Sequence, residues 1–316
     1  MKSHSNAIAY PGLPVVFAEG FRDYRKRISG HSHASFAITD AYETVKTETS
    51  AETVKAGVEF TFEGKRPADP RSSATMDVIR EMISLAAERT GVNVSSINHG
   101  ILTGSSDSGA AALVTALDDL LGLNLPLWQL NEIASRVSET AYRSLIGGLS
   151  EHVINDEGDV RIRQLKKASA FKDLMIYAIP FDLKRFSADD LHKRVSQHPR
   201  YSDRQLQVEY RLENLNNLAR GGDLQGILEL MESEARTVHQ MFNDLGMEVI
   251  KPDMREVTEL VQDMRSSSLK VYWNVAGGST VYVFTLKKHA KEVTRELKDR
   301  GFKYKHFKVA DGARVI

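Results

Sequence analysis

ILTGSSDSGAAAL, residues 101–113, is the stretch on which the reading of this chain turns. Small residues and hydroxyls run into consecutive alanines, the pattern of a loop that opens a helix. A helix start leaves N–H groups unpaired and carries a partial positive charge, and together these attract phosphate. Gly104 and Gly109 let the backbone approach closely. Ser105, Ser106 and Ser108 can add hydroxyl donors, and Ala110–Ala112 allow tight packing behind the loop. A turn of small residues capped by Ser or Asp has the same pattern and needs no ligand. The loop has no Walker lysine and does not sit in a dinucleotide fingerprint. Asp107 stands where a phosphate should meet only donors. It either caps the helix or turns its charge toward a cleft.

Working outward, the segments 7–17, 32–49 and 56–64 alternate as short strands with turns between them. After a Pro- and Ser-rich linker, 65–73, the spacing predicts a helix with Val78, Ile79, Met82, Ile83 and Leu85 on one face and Gly91 as its stop. The loop then opens a helix over 107–121, and another is expected over 128–145. Strands are expected near 151–164 and 173–181, followed by three helices. Val208, Leu212, Leu215 and Ala219 form a stripe on the first. Ile227, Met231, Ala235, Val238 and Phe242 form one on the second. Pro252, Asp253 and Glu256 suggest a capping box opening the third. The chain closes as strand, glycine turn, strand, helix (288–300) and strand, an α+β pattern.

At 316 residues the chain can bury a real core. Lys+Arg and Asp+Glu balance at 42 each, which removes the global basic field that nucleic acid or an anionic membrane would require. There is no cysteine, hence no disulfide or thiolate chemistry. No HExxH-like pair points to a metal. No apolar run approaches about 18 residues, so a soluble cytoplasmic protein is expected.

Two further stretches matter. SETAYRSLIGGL (138–149) puts Glu139 and Arg143 four apart, on one face of the expected helix, followed by Ser144 and a Gly-Gly pair. WNVAGGSTVYV (273–283) reads as strand, glycine turn, strand. With the loop, these stretches resemble the diphosphomevalonate decarboxylase family of the GHMP kinase superfamily. The loop is similar to its serine-rich phosphate loop, 138–148 to its S-x-x-x-R-S-L-x-G-G segment, and 275–283 to its D-A-G-P-N turn. AYPGLPVVFAEG (9–20) takes the place of its N-I-A-x-x-K-Y-W-G-K strand. The resemblance spans nearly the whole chain. It implies a GHMP-kinase fold: an N-terminal α/β domain (1–172, phosphate loop 103–109) and a C-terminal ferredoxin-like α+β domain (173–316), with a cleft between them. It also implies a homodimer.

The family carries an Asp–Lys–Arg set. Here the arginine corresponds to Arg143, while Phe17 takes the lysine's place and Ala276 the aspartate's. That departure resembles the Thermoplasma-type archaeal paralogues that divide the family's two-part reaction. Bisphosphomevalonate decarboxylase expels phosphate and CO2 from mevalonate 3,5-bisphosphate without ATP, giving isopentenyl phosphate. Mevalonate 3-kinase only phosphorylates. Elimination needs a phosphate cradle and a grip on the carboxylate, with neither ATP nor metal. Its substrate would carry roughly −4 to −5. The basic segment GFRDYRKRISGHSH (20–33) could meet that charge through Arg22, Arg25, Arg27 and His31, with Lys26 and His33 nearby, or could be a solvated loop. The expectation is therefore the decarboxylase, with no cofactor required. The alternatives are the 3-kinase, with ATP and Mg²⁺, and a non-catalytic paralogue that binds an isoprenoid intermediate. In this reading Arg143 grips the carboxylate, Asp107 orients Arg143 or a substrate hydroxyl, and Glu139 positions Arg143 or contacts the 3-oxygen. Ser105, Ser106 and the 104–109 backbone, with Gly104, Ser108 and Gly109, hold the 3-phosphate, Ser144 is a further substrate-binding residue, and the basic segment holds the 5-phosphate. The expected partner is a small phosphorylated mevalonate, not nucleic acid or membrane.

Overall fold

Strict alternation in Lys46–Val54 sends Thr47, Thr49 and Ala51 inward. In the computed structural model this strand is the centre of a five-stranded sheet. The sheet runs Arg314–Val315, His4–Ala9, Lys46–Val54, Gly91–His99, Val58–Phe62, antiparallel except for the last pair. The structure describes residues 1–25, 27–67, 70–88, 90–155 and 157–316, with Pro70 and Arg71 described by backbone alone. Lys26 of the basic segment lies outside the described residues.

A second sheet has eight strands. Its main path runs Val160–Lys166, Leu149–Ile154, His33–Asp40, Lys305–Val309, Leu174–Pro180, Thr280–Leu286, Val271–Asn274, and Gly12–Val16 pairs with His33–Asp40 beside that path. Strands from both sides of residue 172 thus share one sheet, and the C-terminal residues return to the first. The fold is mixed α+β. The helix Ser105–Leu121, nearly continuous in buried Ala and Leu, packs on the first sheet. The helices Tyr201–Gly221 and Leu224–Asp244 bury the two expected stripes against the second.

Several expected elements differ. The expected helix 128–145 is two, Leu127–Ser135 and Tyr142–Ile146, broken by a turn at 136–141. Ser138 and Thr140 leave the helical path because their hydroxyls bond Asp107 instead. Gly91 does not stop a helix. It opens a strand, where a Cβ would fall 2.5 Å from the carbonyl carbon of Ala56. Four helices, not three, follow Leu174–Pro180. The extra one, Ala188–Val195, is capped by Ser187. The capping box at 253–256 does not form, since the helix Pro252–Ser266 starts on Lys251 with proline in its first turn.

Four buried histidines weaken the fold in acid, and they outnumber the one carboxyl, Glu19, that burial raises to about 8 and that acts with the opposite sign. Burial lowers His31, His152 and His239 to about 4, and His33 well below its ordinary value. The unfolded chain therefore binds protons between about pH 6.5 and about pH 4 that the folded chain refuses. Stability rises with pH across that window and is lost as pH falls through it. Calorimetric Tm should drop steadily from about pH 7 to about pH 5; a flat profile would contradict these shifts.

Candidate active site

The helix Ser105–Leu121 starts from Gly104, whose φ of 68° is left-handed. A Cβ there would sit 2.7 Å from the nitrogen and 2.8 Å from the oxygen of Gly12, so the loop requires glycine. No side chain caps this helix, which leaves its first N–H groups facing a cleft of about 370 Å³. Ser105, Ser106 and Asp107 line one side of the cleft. Phe17, Ala18 and Glu19 line it where the strand Gly12–Val16 exits. Ala276–Gly278, Arg185 and His192 close it from the C-terminal half. Phe17 and Ala276 therefore present apolar surface to the cleft.

Asp107 is not a cap. It is 1% exposed and both of its oxygens are engaged. Oδ1 accepts from Ser138 Oγ (2.7 Å) and Thr140 Oγ1 (2.5 Å), and Oδ2 accepts from Arg143 Nε (2.7 Å) and pairs with Nη2. Arg143 also donates through Nη1 to Ser35 Oγ (3.3 Å). Its side chain crosses Gly12 so closely that a Cβ there would lie 2.0 Å from Cδ and Nε. Gly12 is thus a site residue that the sequence did not single out.

The expected Glu139–Arg143 pair is not made, because the turn at 136–141 separates the two. Glu139 Oε2 accepts from Arg27 Nε (2.8 Å) and Nη2 (2.6 Å), and Oε1 lies 3.4 Å from His192 Nε2. Burial alone would raise the Glu139 carboxyl, but His192 and Arg27 bring it below its usual range. Arg27 also bonds Asp189 Oδ1 (3.2 Å), so its charge is compensated by carboxylates.

The rest of the basic segment does not converge on the loop. Exposed Arg22 donates to the Asn155 carbonyl (3.4 Å). Arg25 and Arg27 border a separate cavity of about 730 Å³ on the far side of Glu139. His31 is buried against the Ser32 carbonyl and is neutral at pH 7. Ser108 is turned inward, its hydroxyl 2.7 Å from Thr47 Oγ1. Ser144 is buried and donates to the Tyr10 carbonyl (2.6 Å). Neither lines the cleft.

A buried ionic floor went unread in the sequence. Glu234 accepts from Arg204 Nη2 (2.6 Å) and Nη1 (3.2 Å), and Arg211 Nε lies 3.2 Å away. Together they grip Phe17: its N–H donates to Glu234 Oε1 (3.1 Å) and its carbonyl accepts from Arg204 Nη2 (3.3 Å). Glu19 borders the cleft just above. Its place in the otherwise apolar run VVFAEG was the available signal.

Behind Ser105 and Ser106 a third pocket, of about 180 Å³, opens on the other side of the loop. It is lined by Phe60, Phe62, Pro67, Leu113 and Val137, and it shares Ser105, Ser106 and Asn98 with the cleft. An apolar slot thus adjoins a cluster of N–H groups and hydroxyls, which in turn adjoins a cleft holding a clamped arginine.

The profile of the diphosphomevalonate decarboxylase-like N-terminal domain matches residues 9–160, and that of the mevalonate-3-kinase C-terminal domain matches 187–296. The chain belongs to the diphosphomevalonate decarboxylase family. As a member of that family it has the two-domain GHMP-kinase fold and falls among enzymes of the mevalonate pathway. It is 29% identical to the mevalonate-3-kinase of Picrophilus torridus, over 98% of this chain and 96% of that one. It is 23% identical to the phosphomevalonate decarboxylase of Haloferax volcanii, over 99% and 97%. The crystal structure of mevalonate-3-kinase from Thermoplasma acidophilum, with mevalonate 3-phosphate and ADP bound, superposes with a TM-score of 0.90. That match has 26% identity and covers 100% of this chain and 99% of that one. Among the described residues no helix is long and apolar enough to cross a membrane.

Proposed function

We propose that this family member transfers a phosphoryl group from ATP to the 3-hydroxyl of mevalonate and stops there. The observation that carries the reading is the open apolar pocket behind Ser105 and Ser106. It is the right kind of place for a purine base, with its phosphates running over the uncapped helix start into the cleft. An enzyme that only expelled phosphate from a ready-made bisphosphate would have no use for such a pocket.

Charge supports the same choice. A 5-phosphate lying toward Glu139 would meet a carboxylate whose cationic neighbour Arg27 is already committed to Glu139 and Asp189, and of the cleft's arginines Arg185 alone would stand to offset it beside Arg143. A hydroxyl at that end suits the carboxylate, whereas a phosphate would be repelled. The expected decarboxylase relied on free arginines in 22–27, and the geometry does not bring them to the cleft.

The residues divide the work as follows. Ser105, Ser106 and the N–H groups that follow Gly104 hold the transferred phosphate, and Arg143, oriented by Asp107, meets the substrate carboxylate. A loose phosphoryl-transfer transition state asks mainly for position and charge, so apolar Phe17 and Ala276 do not prevent it. Among the described residues no three His, Asp or Glu side chains gather as a metal cage. Mg²⁺ suits this site as an ion carried on the nucleotide phosphates.

The test is a paired incubation. Mevalonate, ATP and Mg²⁺ should yield ADP and mevalonate 3-phosphate with no CO2. Mevalonate 3,5-bisphosphate without ATP should be unchanged. CO2 and isopentenyl phosphate from the second tube alone would replace this reading with the eliminating decarboxylase.

A further inference from the structure

Arg143 is a weaker anchor for a carboxylate than its position suggests. Asp107 neutralises it and occupies its Nε edge, and Ser35 takes one contact of Nη1. Only part of the guanidinium is left for the substrate, and the cleft around it holds Asp107, Glu139 and Glu19, with Arg185 and His192 on the wall from the C-terminal half. A carboxylate held by Arg143 gains from a second donor on the strand side of the cleft, where Phe17 and Ala18 supply none from their side chains.

Glu19 is placed to be that donor. It borders the cleft at the exit of the strand Gly12–Val16 and is 8% exposed. Its Oε2 is buried and has no hydrogen-bond partner. Arg204, on the helix Tyr201–Gly221, comes within 3.6 Å of that oxygen, but Glu234 from the next helix already holds Arg204 through two bonds. Tyr201 spends its hydroxyl on the Glu19 carbonyl (3.0 Å). The neighbouring Gly20 N–H donates to His192 Nδ1 (3.1 Å). Arg143 acts on Glu19 from across the cleft. One buried cation cannot satisfy two carboxylates, and Glu234 has the better geometry. Glu19 therefore keeps its proton: burial pushes it up to about 8, Arg204 opposes this, and Glu234 adds to it.

We propose that Glu19, carrying its proton, donates a hydrogen bond to the substrate carboxylate and shares its recognition with Arg143. The inference rests on the reading of the substrate as a mevalonate-type hydroxy acid. No bond to carbon or phosphorus changes in this step; a neutral acid simply supplies the donor that a neutralised arginine lacks.

The experiment is calorimetric binding of mevalonate to the intact protein without nucleotide, at about pH 6.5 and about pH 9. Binding to wild type should weaken about tenfold at the higher pH, because the donor is lost as Glu19 ionises. In Glu19→Gln, which cannot ionise, the dissociation constant should become insensitive to pH. Infrared difference spectra give a second readout. A protonated-carboxyl band that persists at pH 7 in wild type should be missing from Glu19→Gln. An unchanged alkaline weakening in Glu19→Gln, or a pH-independent wild type, overturns the inference. So does the absence of that band. If mevalonate binds with this pH dependence but is not phosphorylated, the kinase reading fails and the role of Glu19 stands. If it is phosphorylated without the dependence, the reverse holds. No binding of mevalonate at either pH removes both.

Discussion

Replacing Asp107 with alanine should lower turnover of mevalonate and ATP by about a hundred- to thousandfold and destabilise the fold at the same time. The side chain is 1% exposed and holds Ser138, Thr140 and Arg143 together. Its removal leaves a guanidinium and two hydroxyls facing a hole. Breaking a buried ion pair by deleting one partner costs about 3–5 kcal/mol. The loss here should fall toward the low end, because one edge of Arg143 opens on the cleft. Asp107→Asn separates the two effects. The amide oxygen can still accept from Ser138 and Thr140, so the turn at 136–141 should persist and Tm should fall less than in the alanine variant. Arg143 would lose its counter-charge and its fixed orientation, and turnover should still fall by at least about tenfold. Steady-state kcat/KM measured beside calorimetric Tm decides the matter. Wild-type turnover in the asparagine variant would mean that Asp107 only braces the turn.

How this site came to be partly legible follows from range. The loop 101–113 could be read because its chemistry is local. Glycine at a left-handed helix start and serine at the first N–H groups are set by neighbours in sequence. The buried stripes of Tyr201–Gly221 and Leu224–Asp244 were legible for the same reason, through their helical period. The partners of the charges were not. Glu139 and Arg143 share a helical spacing, yet Glu139 finds Arg27, 112 residues away, and Arg143 finds Asp107, 36 away. A charge pairs with whatever the tertiary fold delivers at short range, and spacing along one helix cannot compete with a buried partner. The basic segment misled for the same reason. A run of arginines looks like a free anion site until the fold supplies Glu139 and Asp189 to Arg27 and directs Arg22 to the Asn155 carbonyl. Ser108 and Ser144 misled because a hydroxyl in a loop motif can equally bond the protein behind it, and both do.

The largest loss of stability should come from Arg204, beneath the cleft. Arg204→Met should cost about 3–5 kcal/mol in chemical denaturation, since it leaves Glu234, fully buried, with only the partly exposed Arg211 as cation. The double variant Arg204→Met/Glu234→Leu should recover most of that. With both charges gone, the Arg204–Glu234 pair no longer has to be desolvated, the space can be filled by apolar atoms, and the partly exposed Arg211 can turn to solvent. Recovery of stability should not bring recovery of activity. Arg204 and Glu234 clamp the carbonyl and N–H of Phe17, the residue at which the strand Gly12–Val16 turns into the cleft, and Arg204 is also the cation closest to Glu19. Without them Phe17 and Glu19 lose their fixed place. The double variant should therefore denature near the wild-type midpoint while its kcat/KM stays at least about tenfold low. If activity returns together with stability, the pair only holds the helices together. If stability alone returns, a costly buried ion pair is kept at this position because it fixes the wall against which the substrate is held.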